Sequence, residues 1–103
     1  MCGAVSAHAR IDADTDDVRI TTWTFAEAGT STGQHRHEFD YIVVPITGGT
    51  FEVIGADGSS RRMTQVAGSP YQGVEGTAHD VVSASAHEVV FVEIELKTKA
   101  PHD

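Results

Sequence analysis

Short runs of β-branched and aromatic residues, separated by glycine-containing turns, dominate this sequence from Val18 onward. Strand-like runs with turn signals every several residues are typical of an all-β sandwich or barrel. No segment of useful length repeats its apolar residues with the period of an amphipathic helix. The sequence therefore predicts an all-β fold. The predicted strands are Val18–Phe25, Tyr41–Ile46, Thr50–Ile54, Ser59–Val66, His79–Ala84 and Glu88–Leu96.

Three local patterns refine this prediction. Pro45 has no N–H to donate to a neighbouring strand, so we expect it at a sheet edge, a bulge or a strand end. Asp57-Gly58 is typical of a hairpin turn. The last strand alternates, with Glu93 and Glu95 on one face and an apolar set on the other. That apolar set is Val90, Val92, Ile94 and Leu96.

The first predicted strand is apolar on both faces. Val18 and Ile20 lie on one face, and Trp23 and Phe25 on the other. An apolar outer face on a small barrel often contacts a second subunit. The sequence therefore predicts a homodimer.

The chain has 103 residues, which is enough for one domain with one core. Residues 1–17 end in a run of Asp and Thr without an apolar period, and such a run predicts a flexible arm. The expected organisation is an N-terminal arm over residues 1–17, a β-barrel over 18–97 and a C-terminal tail over 98–103.

Charge and cysteine content exclude several classes of function. The net charge is -8, and an acidic surface repels phosphate backbones and anionic lipids, so we expect neither a nucleic-acid nor a membrane partner. Cys2 is the single cysteine, which excludes an intramolecular disulfide and a cysteine-based metal site. No signal-peptide pattern and no apolar run of about 20 residues occurs. These features predict a cytoplasmic location.

Three of the six histidines are placed to share one metal ion. His35 and His37 are two residues apart, so in a strand both imidazoles project from the same face while Arg36 points away. His79 begins a later strand that could lie opposite them in a barrel. The alternative is that such strand histidines only form hydrogen bonds. Neutral imidazoles bind zinc, iron, nickel and copper, and manganese more weakly, so we expect one divalent transition-metal ion.

The spacing around these histidines resembles the cupin superfamily over roughly residues 20 to 97. In the first cupin motif, a glycine and five further residues precede His-x-His, as Gly29 precedes His35 and His37 here. The motif then has a glutamate three or four residues later, followed by a glycine. Gly48 and Gly49 stand near that last position.

The second cupin motif is also half matched. It has a glycine, five residues, Pro-x-Gly, two residues, a histidine and, after three more, an asparagine. Gly68, Gly76 and His79 are in register here, whereas Val74 and Ser83 replace the proline and the asparagine. Two partial motifs in the right order and separation identify the chain as a cupin.

This resemblance implies a double-stranded β-helix, also called a jelly-roll barrel, in a single domain. The sequence is most similar to small bacterial cupins that carry runs like the one at residues 35–45, His-Arg-His-Glu-Phe-Asp-Tyr-Ile-Val-Val-Pro. Some members of this group are labelled as associated with β-alanine degradation, a label that does not define a mechanism.

The chain departs from the family pattern at the expected glutamate ligand, because Tyr41 and Ile42 occupy its two possible positions. Asp40 could reach the ion if the strand were bulged, and Glu38 is next to the second histidine. Tyr41 could act as a weak ligand or as a hydrogen-bonding neighbour of the ion. A three-histidine site without a carboxylate is the preferred interpretation.

Three neutral imidazoles leave the charge of a divalent ion uncompensated and leave coordination positions open. We therefore expect a small polar or anionic metabolite as ligand or substrate, in a pocket shaped by Tyr41 and Tyr71. Similarity to three-histidine cupin dioxygenases implies oxygen chemistry with Fe(II) as the first choice of metal, with zinc, nickel or manganese as alternatives. The alternative function is a non-catalytic metal-binding cupin that captures a small molecule for sensing or storage.

Overall fold

The computed structural model describes residues 5–98. Nine strands and no helix are present over these residues, so the predicted all-β fold is confirmed. The strands are β1 (His8–Asp14), β2 (Val18–Phe25), β3 (His35–Arg36), β4 (Asp40–Pro45), β5 (Gly49–Gly55), β6 (Ser60–Gln65), β7 (Tyr71–Gly73), β8 (Ala78–Ser83) and β9 (Val89–Leu96). In this part of the chain, no helix is long and apolar enough to cross a membrane.

The strands form two antiparallel sheets. One sheet has the order β1-β2-β9-β4-β7 and the other the order β3-β8-β5-β6. Their inner faces enclose the core, which gives the jelly-roll arrangement expected of a single small domain. Strands β7 and β6 are the edges of their respective sheets, and a hydrogen bond of 2.9 Å from Gln65 Nε2 to the Tyr71 hydroxyl links them.

Three phenylalanines fill the interior between the two sheets. The rings of Phe25, Phe51 and Phe91 have centroids 5.1 to 5.9 Å apart, a spacing typical of favourable aromatic pairs. Fully burying one such side chain contributes about 1.5–3 kcal/mol. Gly49 packs directly against this core. A Cβ at residue 49 would lie 2.7 Å from Cγ2 of the buried Val89, so a larger residue would clash there.

The prediction of a flexible arm over residues 1–17 is wrong for the segment His8–Asp14, which forms strand β1 and pairs along β2. The edge position explains the error, because the outer face of an edge strand needs no apolar residues. Here that face carries the polar contacts of Arg10, Asp12 and Thr22. Residues 1–4 of the predicted arm and 99–103 of the predicted tail lie outside the described residues.

The six predicted strands are present with small shifts at their ends, and Pro45 is the last residue of β4, as expected for a strand end. At β3 the sequence indicated only the entry to a strand, and β7 was not predicted. They have two and three residues, too few to show a period of alternation.

The alternation predicted for the last strand is confirmed, and the structure shows which face is inside. Val89, Phe91, Glu93 and Glu95 point into the barrel, so the two acids lie on the inner face. Arg19 balances the negative charge of Glu95, to which it donates two hydrogen bonds of 2.7 and 2.8 Å. The outward face of β9 is the apolar one, made of Val90, Val92, Ile94 and Leu96.

Candidate metal centre and its cavity

Strand pairing brings the three predicted ligands together. His35 on β3 is the direct cross-strand partner of His79 on β8. His37 follows β3 and is held by two backbone hydrogen bonds of 2.9 Å, one from its N–H to the Thr77 carbonyl and one from the Gly76 N–H to its own carbonyl. Residues 42 positions apart in sequence therefore meet at one place.

A local hydrogen bond fixes the tautomer of His35. Its Nδ1 lies 2.8 Å from the Gly33 carbonyl oxygen. Because a carbonyl oxygen only accepts, Nδ1 carries the proton and Nε2 keeps its lone pair. That lone pair is directed toward His37, whose Nε2 is 3.2 Å away.

Two of the distances between the imidazole nitrogens fit a shared metal ion. His37 Nε2 is 3.2 Å from Nε2 of His35 and 3.1 Å from Nε2 of His79, and all three ligand atoms lie within 4.8 Å of one another. With metal–nitrogen bonds of about 2.1 Å, adjacent ligands of one ion are about 3.0–3.4 Å apart. Neutral imidazoles that face each other with lone pairs repel, whereas a cation between them would satisfy all three.

The local environment keeps two of these imidazoles neutral. Burial, followed by the proximity of the other histidines, lowers the pKa of His37 to about 4. Burial also lowers the pKa of His79 to about 4, with His35 as the next cause. Both rings are therefore in the metal-binding form at neutral pH.

Tyr41 packs on His37 rather than beside the ligand atoms. The two rings are stacked, with centroids 3.8 Å apart and planes 17° from parallel. Gly73, the cross-strand partner of Tyr41, makes room for this stack, because the tyrosine ring occupies the space that a Cβ at residue 73 would need. Tyr41 thus fixes the plane of one predicted ligand.

Neither predicted alternative carboxylate joins the cluster. Asp40 accepts a hydrogen bond of 2.8 Å from the backbone N–H of Glu75, and β4 pairs with β9 in regular register from Asp40 onward, without the bulge that would turn it inward. Glu38 is exposed. Among the described residues, His35, His37 and His79 form the group of His, Cys, Asp and Glu side chains that could hold a metal ion.

The three histidines line a cavity of about 320 Å³ between the two sheets. This volume is at the lower end of the range for small-molecule sites. Tyr41 and Tyr71, the two predicted pocket residues, both line it, together with the rings of Trp23 and Phe91. Arg61, also in the lining, is exposed. Contact of either tyrosine with a substrate stays a prediction.

Sequence reasoning missed a carboxyl group inside this cavity. Glu93 lines the cavity, and its Oε2 is 3.8 Å from Nδ1 of His37, too far for a hydrogen bond. Its Oε1 accepts a long hydrogen bond of 3.4 Å from Trp23 Nε1. Burial raises the pKa of Glu93 to about 7. The two-residue spacing of β9 places Glu93 on the same face as Val89 and Phe91, but this spacing does not show which face is inside.

Comparison with known proteins decides the family. The chain is 45% identical over 97 residues to the beta-alanine degradation protein BauB of Pseudomonas aeruginosa, a match that covers 94% of this chain and 100% of the relative. It is also 36% identical to a cupin domain from Bordetella pertussis Tohama I, whose crystal structure superposes with a TM-score of 0.89 over 95% of this chain and 100% of that one. This chain belongs to the cupin family.

More distant cupins share the fold alone. A cupin superfamily protein from Desulfitobacterium hafniense is 13% identical and has a TM-score of 0.70 over 95% of this chain and 84% of that one. No protein-family model matches the chain. The jelly-roll fold implied by the two sequence motifs is confirmed by these structural relatives.

Proposed function

We propose that this cupin is a metal-dependent enzyme in which His35, His37 and His79 hold one divalent transition-metal ion. The observation that carries the proposal is the convergence of three Nε2 atoms, with two separations of 3.1 and 3.2 Å, on the wall of an internal cavity. Three uncharged ligands leave both charges of such an ion uncompensated. A small polar or anionic metabolite is therefore the proposed substrate.

The choice of metal follows from the family resemblance. Fe(II) is the first choice, and when bound it would supply dioxygenase-type chemistry, whereas zinc, nickel or manganese are alternatives. Residues of the chain would exclude water, hold a hydroxyl group in place and attract the substrate. The apolar wall around Val43 and Phe91 excludes water, and Gln65 holds the Tyr71 hydroxyl in place through its 2.9 Å hydrogen bond. Arg61, exposed in the cavity lining, would attract an anionic substrate.

The identity of the 45% identical relative supports a small metabolite as substrate, because that protein is named for the degradation of a small amino acid, β-alanine. For the present chain this supports the substrate class, without defining a reaction. A cytoplasmic location and a homodimer stay predictions.

Elemental analysis of protein purified without chelator or added metal tests the metal site. We expect about one equivalent of transition metal in the wild type and in a His87→Ala control, because His87 lies in an exposed turn. We expect loss of the metal in His79→Ala. No uptake of Fe(II), Mn(II), Ni(II) or Zn(II) by the wild type would contradict the proposal.

Oxygen consumption by the iron-loaded wild type, screened with small thiols, diketones and carboxylates, tests catalysis separately. Turnover that is lost in His79→Ala supports the enzyme. Tight binding of a small molecule to the metal-loaded protein without turnover would instead support the sensing or storage alternative.

A further inference from the structure

The wall of the cavity also carries a buried acid that is not one of the proposed metal ligands. Glu93 points into the barrel with its side chain 13% exposed. Glu95, two residues further along the same inner face, has the Arg19 guanidinium as its partner, at 2.7 and 2.8 Å. Among the described residues, the hydrogen bond that reaches Glu93 is the long one from Trp23 Nε1, at 3.4 Å. Glu93 Oε2 also lies 3.8 Å from Nδ1 of His37, which is too far for a hydrogen bond. Among the described residues, no Arg or Lys side chain bonds Glu93 as Arg19 bonds Glu95.

A second acceptor on the cavity wall also lacks a donor. Gln65 is 3% exposed and donates its Nε2 to the Tyr71 hydroxyl. Its Oε1 has no hydrogen-bond partner among the described residues. A buried acceptor without a donor costs free energy, and a ligand that brings a donor can offset that cost.

The rings around Glu93 suit a cationic donor. Trp23, Tyr71 and Phe91 line the same cavity, and aromatic faces attract an ammonium group. An ammonium group buried in such a cavity also needs a nearby anion, which Glu93 supplies. The histidine cluster, once it holds a divalent ion, would attract the opposite kind of group, a carboxylate.

We infer that the cavity binds small ω-amino carboxylates, with the carboxylate at the three-histidine site and the ammonium group at Glu93, Trp23 and Tyr71. This inference rests on the proposed function, because the carboxylate needs the metal ion. It names the substrate class for that site and assigns Glu93 as the residue that distinguishes an amine-bearing ligand from a plain carboxylate.

Calorimetric titration of the metal-loaded protein tests the inference. Metal content is measured first, so that a failure of the metal site is seen separately. The probes, at about pH 8, are ω-amino carboxylates of about three to six carbons, the unsubstituted carboxylates of the same lengths and the dicarboxylates of the same lengths. The proteins are the wild type, Glu93→Gln and Glu88→Gln, a control that removes one charge from an exposed turn.

We expect the wild type to bind its best ω-amino carboxylate at least about tenfold more tightly than the matched plain carboxylate. We expect Glu93→Gln to reduce this preference to less than about threefold and Glu88→Gln to keep it, with metal content unchanged in both. Gln has nearly the shape of Glu, and circular dichroism checks that the variant is folded.

Three results would overturn the inference and leave the metal site intact. In each of them the wild type takes up metal, but it shows no preference for the amine, prefers the dicarboxylate or binds no probe. A preference that persists in folded Glu93→Gln would overturn the role of Glu93. The wild-type comparison decides the ligand class even if that variant does not fold. Absence of metal from the wild type would instead overturn the proposed function.

Discussion

At the scale of single residues, Glu93 makes the stability of the metal-free protein depend on pH. Its pKa rises from 4.5 to about 7 on folding, so the folded state binds more protons than the unfolded state between these values. Stability therefore falls as the pH rises through this window. Glu93→Gln should be about as stable as the wild type at pH 5 and more stable at pH 8, by on the order of 2–3 kcal/mol.

Urea unfolding of chelator-treated wild type and variant at both pH values measures this difference. Lowered pKa values of about 4 for His37 and His79 act in the opposite direction, because they make stability rise with pH between about 4 and 6.5. Both proteins carry these histidines, so the difference between them isolates Glu93. Equal stability of the two proteins at pH 8 would contradict the prediction.

Gly73 provides a second test at this scale. A methyl group at residue 73 would occupy the position of the Tyr41 ring and push it out of its stack with His37. Gly73→Ala should cost about 1–3 kcal/mol of stability, the usual cost of overpacking. It should also weaken metal binding about tenfold or more, as loss of a supporting contact to a ligand does. Competition with a metal indicator measures the affinity. Thr64→Ala, at an exposed position of β6 outside the cavity lining, should change neither quantity.

The sequence was more informative about some residues of the site than about others. The three histidines could be predicted because strand alternation and the motif spacing are local properties. Glu93 and Gln65 could not, because their place in the cavity depends on which face of β9 and of β6 is inside. Strand β9 has Val89 and Phe91 on one face and Val90 and Val92 on the other, so its apolar pattern does not decide the question.

At the scale of elements, β3 is the part of the metal site with the least support. It has two residues, and its strand pairing is with β8. A metal ion would join His35 and His37, on and just after β3, to His79 on β8. Because a ligand that binds only the folded state stabilises it, metal at about 100 times its dissociation constant should add about 2.7 kcal/mol.

Hydrogen exchange measured by mass spectrometry shows where this stabilisation acts. We expect metal to slow exchange in the segment that contains His35 and His37, where the His37 N–H bonds the Thr77 carbonyl. Exchange in the β5–β6 hairpin should change little. His79→Ala should show neither the slower exchange nor the added stability, and protection spread evenly over all strands would contradict a local link between β3 and β8.

Strand β1 shows why an element at a sheet edge is hard to predict from sequence. Its segment has an acidic, polar composition, and its side chains are mostly exposed. What makes it a strand is its backbone pairing with β2, which runs from His8 opposite Thr24 to Asp14 opposite Arg19. Pairing of this kind depends on a partner elsewhere in the chain. The apolar residues of the strand do alternate with polar ones, but two of the three are alanine, a residue depleted in strands, so the sequence signal is weak.

At the scale of the whole molecule, an apolar outer surface on the five-stranded sheet favours a homodimer. The strand register places Ile20, Ile94 and Ile42 side by side on this surface, with Val92 and Val44 paired in the next row. All five are only half-buried. No helix among the described residues covers this face. A second copy of the chain, docked face to face, would bury it at both subunits.

Sedimentation of the wild type at about 10 μM should therefore give the mass of a dimer, and Ile94→Glu should give a folded monomer, because a charge at the centre of an apolar interface is costly to bury. Thr64→Glu, on an exposed position of the other sheet, is the matched control and should remain dimeric. Metal content should be the same in all three proteins, since the histidines lie on the inner side of the barrel. A monomeric wild type would contradict the prediction and would leave the apolar surface to a different partner.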